Sequence, residues 1–382
     1  MKVLHLITAL ETGGAETMLH KLLSAMDREA YQPLVVSMLR PGPLGGRIRE
    51  LGVEVRDLGM RRGLPLPGAL LRLVRLLRAE RPDVVQSWLY HADLLALAGV
   101  RLAFPRRASR PALAWNLRCS FMDFSSYRRS TAWTVRLLAR LSGLPEAVAA
   151  NSRSAVDWHI GLGYHPKRFI IIPNGFDADR FCPDPDARVR LRSELGLPED
   201  ALLAGLVARF DPMKDHRGFA RATGQAGKIL PGLHAVCCGS GADSSNGELS
   251  GWFREAGLEG RVHLLGQRAD VERVMAGLDV CVSSSLGESF PNVLGEALCC
   301  GVPCVATDAG DSALIVKGAG EIVRPGDPGA LAEALVRLLS LPLARRRELG
   351  VEGRTRMRRE YSLDAAACGF GDLYAALAAE KE

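Results

Sequence analysis

The sequence has no run of about 18 uncharged apolar residues, so we predict that no segment crosses a membrane. Its nine cysteines form no Cys-x-x-Cys pair, and Cys237, Cys238 and Cys281 lie inside apolar runs, as small hydrophobic residues do. A protein of the reducing cytoplasm is therefore expected. The sequence also has no His-Glu-x-x-His motif, and we expect an activity that needs no metal. Its first residues have the pattern of a buried strand and lack that of a cleavable signal peptide.

The chain is long enough for two hydrophobic cores. At 382 residues it exceeds the usual size of one core, and a composition of 47% apolar and 24% charged residues is globular. Charge is distributed unevenly, with 25 Lys and Arg against 13 Asp and Glu up to residue 173, and 24 against 30 beyond it. An arginine-rich composition is one explanation, and an anionic partner of the first half is the other.

Apolar strands alternate with amphipathic helices along the chain. The predicted strands are residues 2–10, 34–38, 53–58, 83–88, 113–117, 147–150, 169–172, 202–208, 234–238, 262–265, 280–284 and 302–307. Such alternation predicts parallel sheets wrapped by helices, and residues 173–186, rich in Pro, Gly and Asp, predict a connection between two domains. We predict an α/β fold of two Rossmann-like domains, 1–173 and 174–360, whose sheets face each other across a cleft. A helix in residues 361–382 is expected to return towards the first domain.

Residues 285–301 carry the strongest functional signal. Proline suits the first turn of a helix, so Pro291 predicts a loop over 287–290 and a helix over 291–300 that Gly301 ends. Glu288 then lies just before the helix and Glu296 about one turn inside it. The helix dipole and the free N–H groups between the two carboxylates predict a phosphate site, with hydroxyl groups bound on either side.

Other motifs stand in a fixed order around this stretch. They are Gly13-Gly14-Ala15-Glu16, Pro173-Asn174-Gly175, residues 207–214, Gly239-Ser240-Gly241, residues 265–271 and Asp308-Ala309-Gly310-Asp311. Together with residues 285–301, this set resembles the retaining GT-B glycosyltransferases of family four over nearly the whole chain. The resemblance implies that the first domain binds an acceptor and the second a nucleoside-diphosphate sugar, with transfer that retains the anomeric configuration.

The resemblance also implies a role for individual residues. Arg209 and Lys214 correspond to the cationic clamp on the diphosphate, Glu288 to the ligand of the donor sugar and Glu296 to the ligand of the ribose. Further donor contacts are expected from Gly13, Gly14, Gly266, Gln267, Phe290, Pro291, Asn292, Val293 and Leu294. The departing diphosphate carries negative charge, which fixed cations and helix N–H groups stabilise. No cofactor is expected besides the donor substrate, for which a UDP-sugar is favoured over a GDP-sugar.

Two residues of the first half follow predicted strands. Relatives commonly have a histidine near strand 83–88 that contacts the transferred sugar, but many have it where this chain has Gln86 or Trp88. We predict that His91, just beyond the strand, contacts the donor sugar or the acceptor, and we count it with Glu288, Arg209 and Lys214 as catalytic. Arg118 follows strand 113–117, and the sequence leaves open whether it binds an acceptor phosphate or forms a structural ion pair.

Basic amphipathic helices are predicted over 66–81 and 126–141. Their arginines and apolar residues predict a peripheral contact with an anionic membrane, and an ordinary solvated surface is the alternative. We therefore expect a cytoplasmic hexosyltransferase, working at the inner face of the membrane on a glycan or lipid-linked acceptor in cell-surface polysaccharide biosynthesis. No nucleic-acid partner is expected.

Three other functions agree less well with the sequence. An epimerase or phosphorylase of GT-B shape lacks this combination of Arg209 and Lys214 with paired glutamates in the same form. A catalytically silent scaffold that binds nucleotide sugars would not need intact clamp residues. A dinucleotide oxidoreductase is disfavoured because Gly13-Gly14 does not complete a Gly-x-Gly-x-x-Gly motif.

Overall fold

The computed structural model describes residues 1–11, 13–60, 67–120 and 129–380. The chain divides into two compact units, Met1–Gly175 with Leu363–Glu382, and Phe176–Ser362. The predicted divisions, after residues 173 and 360, each lie two residues before these boundaries. Each unit is built on one parallel sheet, so the predicted α/β class with two parallel sheets is confirmed.

The first unit contains a seven-stranded sheet in the order β3-β2-β1-β4-β5-β6-β7. Its strands are β1 (Lys2–Ile7), β2 (Gln32–Leu39), β3 (Glu54–Met60), β4 (Val84–Trp88), β5 (Ala112–Leu117), β6 (Ala147–Ala150) and β7 (Phe169–Ile171). Its first six helices are α1 (Gly14–Ala25), α2 (Pro43–Glu50), α3 (Pro67–Glu80), α4 (Tyr90–Ala103), α5 (Arg129–Leu141) and α6 (Arg153–Gly161).

The central strands of this sheet are buried on both faces, as is usual where helices cover a parallel sheet on both sides. Alternate residues of β5 therefore enter two different cores. Trp115 and Leu117 pack in the core that contains α3, α4 and α5. Ala112 and Ala114 pack in the core that contains α1 and α2.

The second unit contains a six-stranded sheet in the order β10-β9-β8-β11-β12-β13. Its strands are β8 (Leu202–Val207), β9 (Leu233–Cys238), β10 (Val262–Leu264), β11 (Val280–Ser283), β12 (Cys304–Thr307) and β13 (Gly320–Val323). Its helices are α7 (Ala187–Glu194), α8 (His216–Ile229), α9 (Gly247–Glu255), α10 (Val271–Ala276), α11 (Asn292–Cys299), α12 (Ser312–Val316), α13 (Pro328–Leu339) and α14 (Leu343–Glu360).

The last helix, α15 (Leu363–Ala379), belongs to the first unit. Phe370 and Tyr374 are buried in the same core as Ile7 of β1. The hydroxyl of Tyr31 donates to the carbonyl of Gly371 at 3.1 Å. The chain thus leaves the first unit after Gly175 and completes it with its last helix.

None of the helices in the described part of the chain has both the length and the apolarity needed to span a bilayer.

Each sheet has one place where the strand order reverses. It lies between β1 and β4 in the first unit and between β8 and β11 in the second. At such a point the loops that follow the two strands diverge, and the crevice between them is where ligands bind in open α/β sheets. The predicted site residues 13–14 and 91 follow β1 and β4, and residues 209–214 and 288 follow β8 and β11.

Candidate functional site

Lys214 and Glu288 meet at the carboxyl ends of β8 and β11. The ammonium group of Lys214 donates to Oε1 of Glu288, although the two residues are 74 positions apart in the chain. The hydroxyl of Ser285 donates to the same carboxylate oxygen at 2.8 Å. The side chains of Lys214 and Glu288 are 26% and 14% exposed, so the ion pair is partly buried and still accessible to a ligand.

The loop after β8 is held against the loop after β11. The backbone N–H of Leu286 donates to the carbonyl of Met213 at 2.8 Å, and the hydroxyl of Ser284 donates to the carbonyl of Lys214 at 2.8 Å. Asp215 adopts a left-handed conformation, with φ +47°, and its carboxylate accepts from the N–H of Gly218 to cap α8. These bonds fix the turn that presents Lys214.

The loop after β12 supports Glu288 from the other side. The hydroxyl of Thr307 donates to the carbonyl of Ser285 at 2.6 Å, and the N–H of Asp311 donates to the carbonyl of Ser289 at 3.0 Å. Gly310 has φ +60°, and a Cβ there would lie 2.5 Å from the carbonyl oxygen of Glu288. Only glycine fits at that position without displacing the loop.

Sequence reasoning missed the supporting residues Ser284, Ser285 and Thr307. A signal for two of them exists, since three consecutive serines, residues 283–285, close an apolar strand. The hydroxyls of Ser284 and Thr307 donate to backbone carbonyls distant in the chain, which no local pattern reveals, whereas Ser285 donates to Glu288 three residues away.

Helix α11 agrees with the predicted helix over 291–300. It begins at Asn292, directly after Pro291, and Gly301 follows its end with φ +73°. Phe290 is buried and stacks on Phe176, with ring centroids 6.0 Å apart, and Leu294 is fully buried in the same core. The side chains of Phe290 and Leu294 therefore hold the helix in place, which leaves their backbone atoms for any contact with a ligand.

The other predicted donor contacts in and next to this helix differ in burial. Asn292, Val293 and Glu296 are half-buried, and Pro291 is buried. Glu288 precedes the helix and Glu296 lies within it, as the sequence predicted. Their assignment to sugar and ribose stays a prediction.

Arg209 is bonded to a different acid from the one that pairs with Lys214. Its side chain is 71% exposed and pairs with Asp211, with Nε 3.0 Å from Oδ2. Partial burial favours the neutral form of Asp211, but the N–H of Met213 and the guanidinium of Arg209 outweigh it and hold the pKa of Asp211 below its ordinary value. Asp211 is therefore ionised, and Arg209 would have to exchange this partner to reach a diphosphate.

Gly266 and Gln267 follow β10. The N–H of Gly239 donates to the carbonyl of Gly266 at 2.8 Å, and Gly266 has φ +63°. Gln267 is exposed, whereas the neighbouring Arg268 forms ion pairs with Glu194 and Asp270. Of the two side chains, that of Gln267 is the more exposed, and that of Arg268 is held by its ion pairs.

The glycine pair of the first unit lies at the start of α1. Gly13 is the N-cap residue and Gly14 the first residue of the helix, while Thr12 lies outside the described residues. A Cβ at Gly13 would come within 2.3 Å of the Glu16 carboxylate, but a Cβ at Gly14 would meet no described atom within 4 Å. The Glu16 carboxylate is the end of a flexible side chain that can move away, so this contact does not require glycine, and Gly14 borders open space among the described residues.

His91 is the second residue of α4 and is half-buried. Burial lowers the pKa of His91, so its imidazole is neutral near pH 7 and can donate one hydrogen bond and accept another. Gln86 and Trp88 are fully buried. Gln86 accepts a hydrogen bond from the hydroxyl of Tyr374, and Trp88 donates one to His5 at 3.3 Å. Of these three side chains, that of His91 is the one beyond the strand, and its contact with sugar or acceptor stays a prediction.

Two Asp-x-Asp pairs are present in the connection between the units, at residues 177/179 and 184/186. Oδ1 of Asp177 accepts from the backbone N–H groups of Asp179 and Arg180, at 3.2 and 2.9 Å. Asp184 forms an ion pair with Arg190. These carboxylates serve local structure, and the described residues contain no group of three or more potential metal ligands.

Most of the chain matches two glycosyltransferase family models. Residues 12–180 match the family model described as Glycosyltransferase Family 4, and residues 202–341 match the model described as Glycosyl transferases group 1. The putative glycosyltransferase EpsF of Bacillus subtilis is 26% identical over 333 residues, which are 81% of this chain and 79% of EpsF. UDP-Gal:alpha-D-GlcNAc-diphosphoundecaprenol alpha-1,3-galactosyltransferase of Escherichia coli is 25% identical over 276 residues, 71% of this chain and 70% of that enzyme.

Solved structures agree in fold. HepE from Anabaena, in complex with UDP and glucose, superimposes with a TM-score of 0.82 at 21% identity, over 98% of this chain and all of HepE. Sucrose-phosphate synthase of Thermosynechococcus elongatus superimposes with a TM-score of 0.79 at 20% identity, over the whole of both chains. The fold is GT-B.

Proposed function

Because the chain belongs to the group 1 glycosyltransferases of family 4, we propose that it transfers a hexose from a nucleoside-diphosphate sugar to a glycan or lipid-linked acceptor, with retention at the anomeric carbon. The observation that carries this proposal is the accessible Lys214–Glu288 pair, placed where the strand order of the second sheet reverses and next to the start of α11. A cation, a carboxylate and helix N–H groups are the three elements that a sugar diphosphate requires.

In this proposal the two residues of the pair bind different parts of the donor, Lys214 the diphosphate and Glu288 the sugar. Lys214 stabilises the negative charge that develops on the diphosphate as the glycosidic bond breaks, and the start of α11 adds its dipole. Glu288 binds hydroxyl groups of the sugar, and Glu296 those of the ribose. The acceptor attacks from the face that the diphosphate leaves, so Glu288 orients the sugar and is not a covalent nucleophile.

We propose that the donor is a UDP-sugar and that no metal is required. Related structures were solved with UDP and with UDP-glucose, and the name of the Escherichia coli relative specifies UDP-Gal. The positive charges of Lys214 and Arg209 would take the place of a bound cation at the diphosphate. The name of the same relative specifies a diphosphoundecaprenol-linked acceptor, which supports a role in cell-surface polysaccharide biosynthesis.

Nucleotide binding tests the proposed function. We expect UDP to raise the melting temperature more than GDP or ADP, because a ligand at about 100 times its Kd stabilises the folded state by about 2.7 kcal/mol. Thermal-shift assays with the three nucleotides and their glucose conjugates measure this effect. If none of the nucleotides raises the melting temperature, the proposal is contradicted.

Product analysis separates the rival functions. Incubation with the donor alone should yield no epimer and no free sugar phosphate, both of which an epimerase or phosphorylase of this fold would release. A catalytically silent scaffold would bind UDP, and its Glu288→Ala variant would retain full function.

We propose that α5 makes a peripheral contact with the inner face of an anionic membrane. Arg129, Trp133, Arg136, Leu137 and Arg140 are exposed at helical spacing on one face of α5, and Trp133 is 67% exposed. Arginines bind anionic headgroups and the apolar side chains enter the interface. Residue 66 and residues 126–128 of the two predicted basic helices lie outside the described residues.

Vesicle co-sedimentation tests this contact. We expect binding to phosphatidylglycerol vesicles that weakens at high salt, because salt screens the arginines. Binding should also weaken with Trp133→Ala, because alanine has less apolar area for the membrane to bury. Ile229→Ala is the matched control, since Ile229 is 66% exposed in the second unit. Equal binding to phosphatidylcholine vesicles, independent of salt, would contradict the proposal.

A further inference from the structure

Arg118 is a partly buried cation at the ligand-binding edge of the first sheet. It follows β5, its guanidinium lies 5.4 Å above the ring of Trp88, and Nη2 donates to Oδ1 of Asn174. Among the described residues, buried Nη1 has no hydrogen-bond partner and no carboxylate forms an ion pair with Arg118. Within residues 1–11, 13–60, 67–120 and 129–380, the structural ion pair that the sequence left open is therefore not formed.

An unpaired cation at this position is costly to the fold. A charge removed from water without a counter-charge loses solvation energy that nothing repays. Burial lowers the pKa of Arg118 to about 9, which still leaves the guanidinium charged near pH 7. Departures from good packing and pairing are concentrated at functional sites, where a ligand supplies the missing partner.

Asn116 provides a second unpaired group beside it. This residue is fully buried, and neither Nδ2 nor Oδ1 of its side chain has a hydrogen-bond partner in the described part of the chain. Residues two positions apart at a strand project to the same face, so Asn116, Arg118 and the underlying Trp88 lie on one side of the sheet. Next to them, Leu89 has φ +74°, a strained conformation for a leucine, at the end of β4.

We propose that Arg118 and Asn116 form an anion subsite that binds a phosphate group of the acceptor. The inference rests on the proposed function and on the expectation, implied by the family resemblance, that the first unit binds the acceptor. A planar guanidinium suits phosphate oxygens, and the several oxygens of a phosphate can accept from Nη1 of Arg118 and Nδ2 of Asn116 together. The phosphate belongs either to a lipid diphosphate or to a soluble sugar phosphate.

Pyrophosphate binding to the full-length protein tests the subsite. The donor site is first saturated with UDP, and pyrophosphate is then titrated by calorimetry into wild type, Arg118→Gln and Arg106→Gln. Arg106 is an exposed arginine that precedes β5, at the opposite edge of the sheet, so its replacement removes the same charge elsewhere. We expect Arg118→Gln to raise the Kd of pyrophosphate at least about tenfold, the loss of one charge-assisted hydrogen bond, and Arg106→Gln to leave it unchanged.

The unliganded melting temperature separates a ligand role from a structural one. Because no acidic residue of the described chain pairs with Arg118, we expect Arg118→Gln to melt at or above the temperature of wild type. A lower melting temperature together with an unchanged pyrophosphate Kd would overturn the proposal. UDP affinity should be the same in both variants and in wild type, so a loss of UDP binding specific to Arg118→Gln would also overturn it.

Two further ligands show which kind of phosphate the subsite binds. A control in a second background separates failure of the subsite from failure of the proposed function. Geranyl diphosphate binding more tightly than glucose 1-phosphate assigns a lipid acceptor, and the reverse assigns a soluble one. Either result supports the subsite if Arg118→Gln weakens binding of the ligand. If Arg118→Gln affects binding of neither ligand, the proposal is overturned. If wild type does not bind UDP, the proposed function fails, and the pyrophosphate titration is repeated in a Lys214→Ala background, where Arg118 dependence still decides the subsite.

Discussion

Replacing Lys214 with alanine should lower kcat/KM for sugar transfer by about 10²–10³-fold, the usual effect of removing one group that stabilises transition-state charge. Lys214 is the cation that contacts Glu288, and it is held by the bonds between the loops after β8 and β11. The loss should appear mainly in kcat, because the negative charge on the diphosphate grows as the bond to the sugar breaks. Steady-state kinetics with a UDP-sugar donor measures it.

Arg217→Ala is the matched control for Lys214→Ala. Arg217 is exposed on α8, three residues away in sequence, and its removal changes the net charge equally. We expect it to retain the activity of wild type. If Lys214→Ala also turns over at the rate of wild type, Lys214 does not bind the leaving group and the assignment of this site is wrong.

Replacing Asp279 with asparagine should destabilise the second unit by about 3–5 kcal/mol, the cost of breaking a buried ion pair by removing one partner. Oδ2 of Asp279 accepts from Nη2 of Arg192 at 2.5 Å and from the N–H of Leu203 at 2.8 Å. Oδ1 pairs with Arg188 and with Nη2 of Arg346, the latter at 3.4 Å. The side chains of Arg192 and Asp279 are both 1% exposed, so neutral asparagine leaves a buried guanidinium without a counter-charge.

Hydrogen exchange of peptides from β8 and α7 measures this loss in the second unit alone. Asp186→Asn is the control, because Asp186 is 75% exposed and its contact with Arg190 is 3.5 Å long. An exposed pair of this kind contributes about 0–1 kcal/mol. A stability of Asp279→Asn within that range of wild type would show that the three arginines do not depend on Asp279.

The two arginine environments explain why these expectations differ. Arg192 is surrounded by an acid and by backbone carbonyls, including that of Ala201 at 2.7 Å, so its partners are supplied by the fold. Arg118 contacts Asn174 and the Trp88 ring, and none of its partners in the described ranges is an acid. Loss of the Asp279 charge should therefore cost stability, whereas loss of the Arg118 charge should cost ligand affinity.

The order of strands and helices was largely predictable, because the relevant signals are local. Apolar runs and helical periodicity depend on neighbouring residues, and they located β4, β6, β9 and α11 to within about two residues. The same reasoning could assign no partner to Lys214 or Glu288, because their ion pair joins loops that follow two different strands. Nor could it separate Phe290 and Leu294, whose side chains belong to the core, from residues that face a ligand.

By itself, the sequence determined the α/β class, the two parallel sheets and the helix start beside Glu288, since each follows from local pattern and proline chemistry. Tertiary structure alone decided that Lys214 is bonded to Glu288, that Arg209 is bonded to Asp211, and that Arg118 has no acidic partner among the described residues. The physical reason is that charge pairing depends on distance in space. Strand order and loop geometry set that distance, and separation along the chain does not.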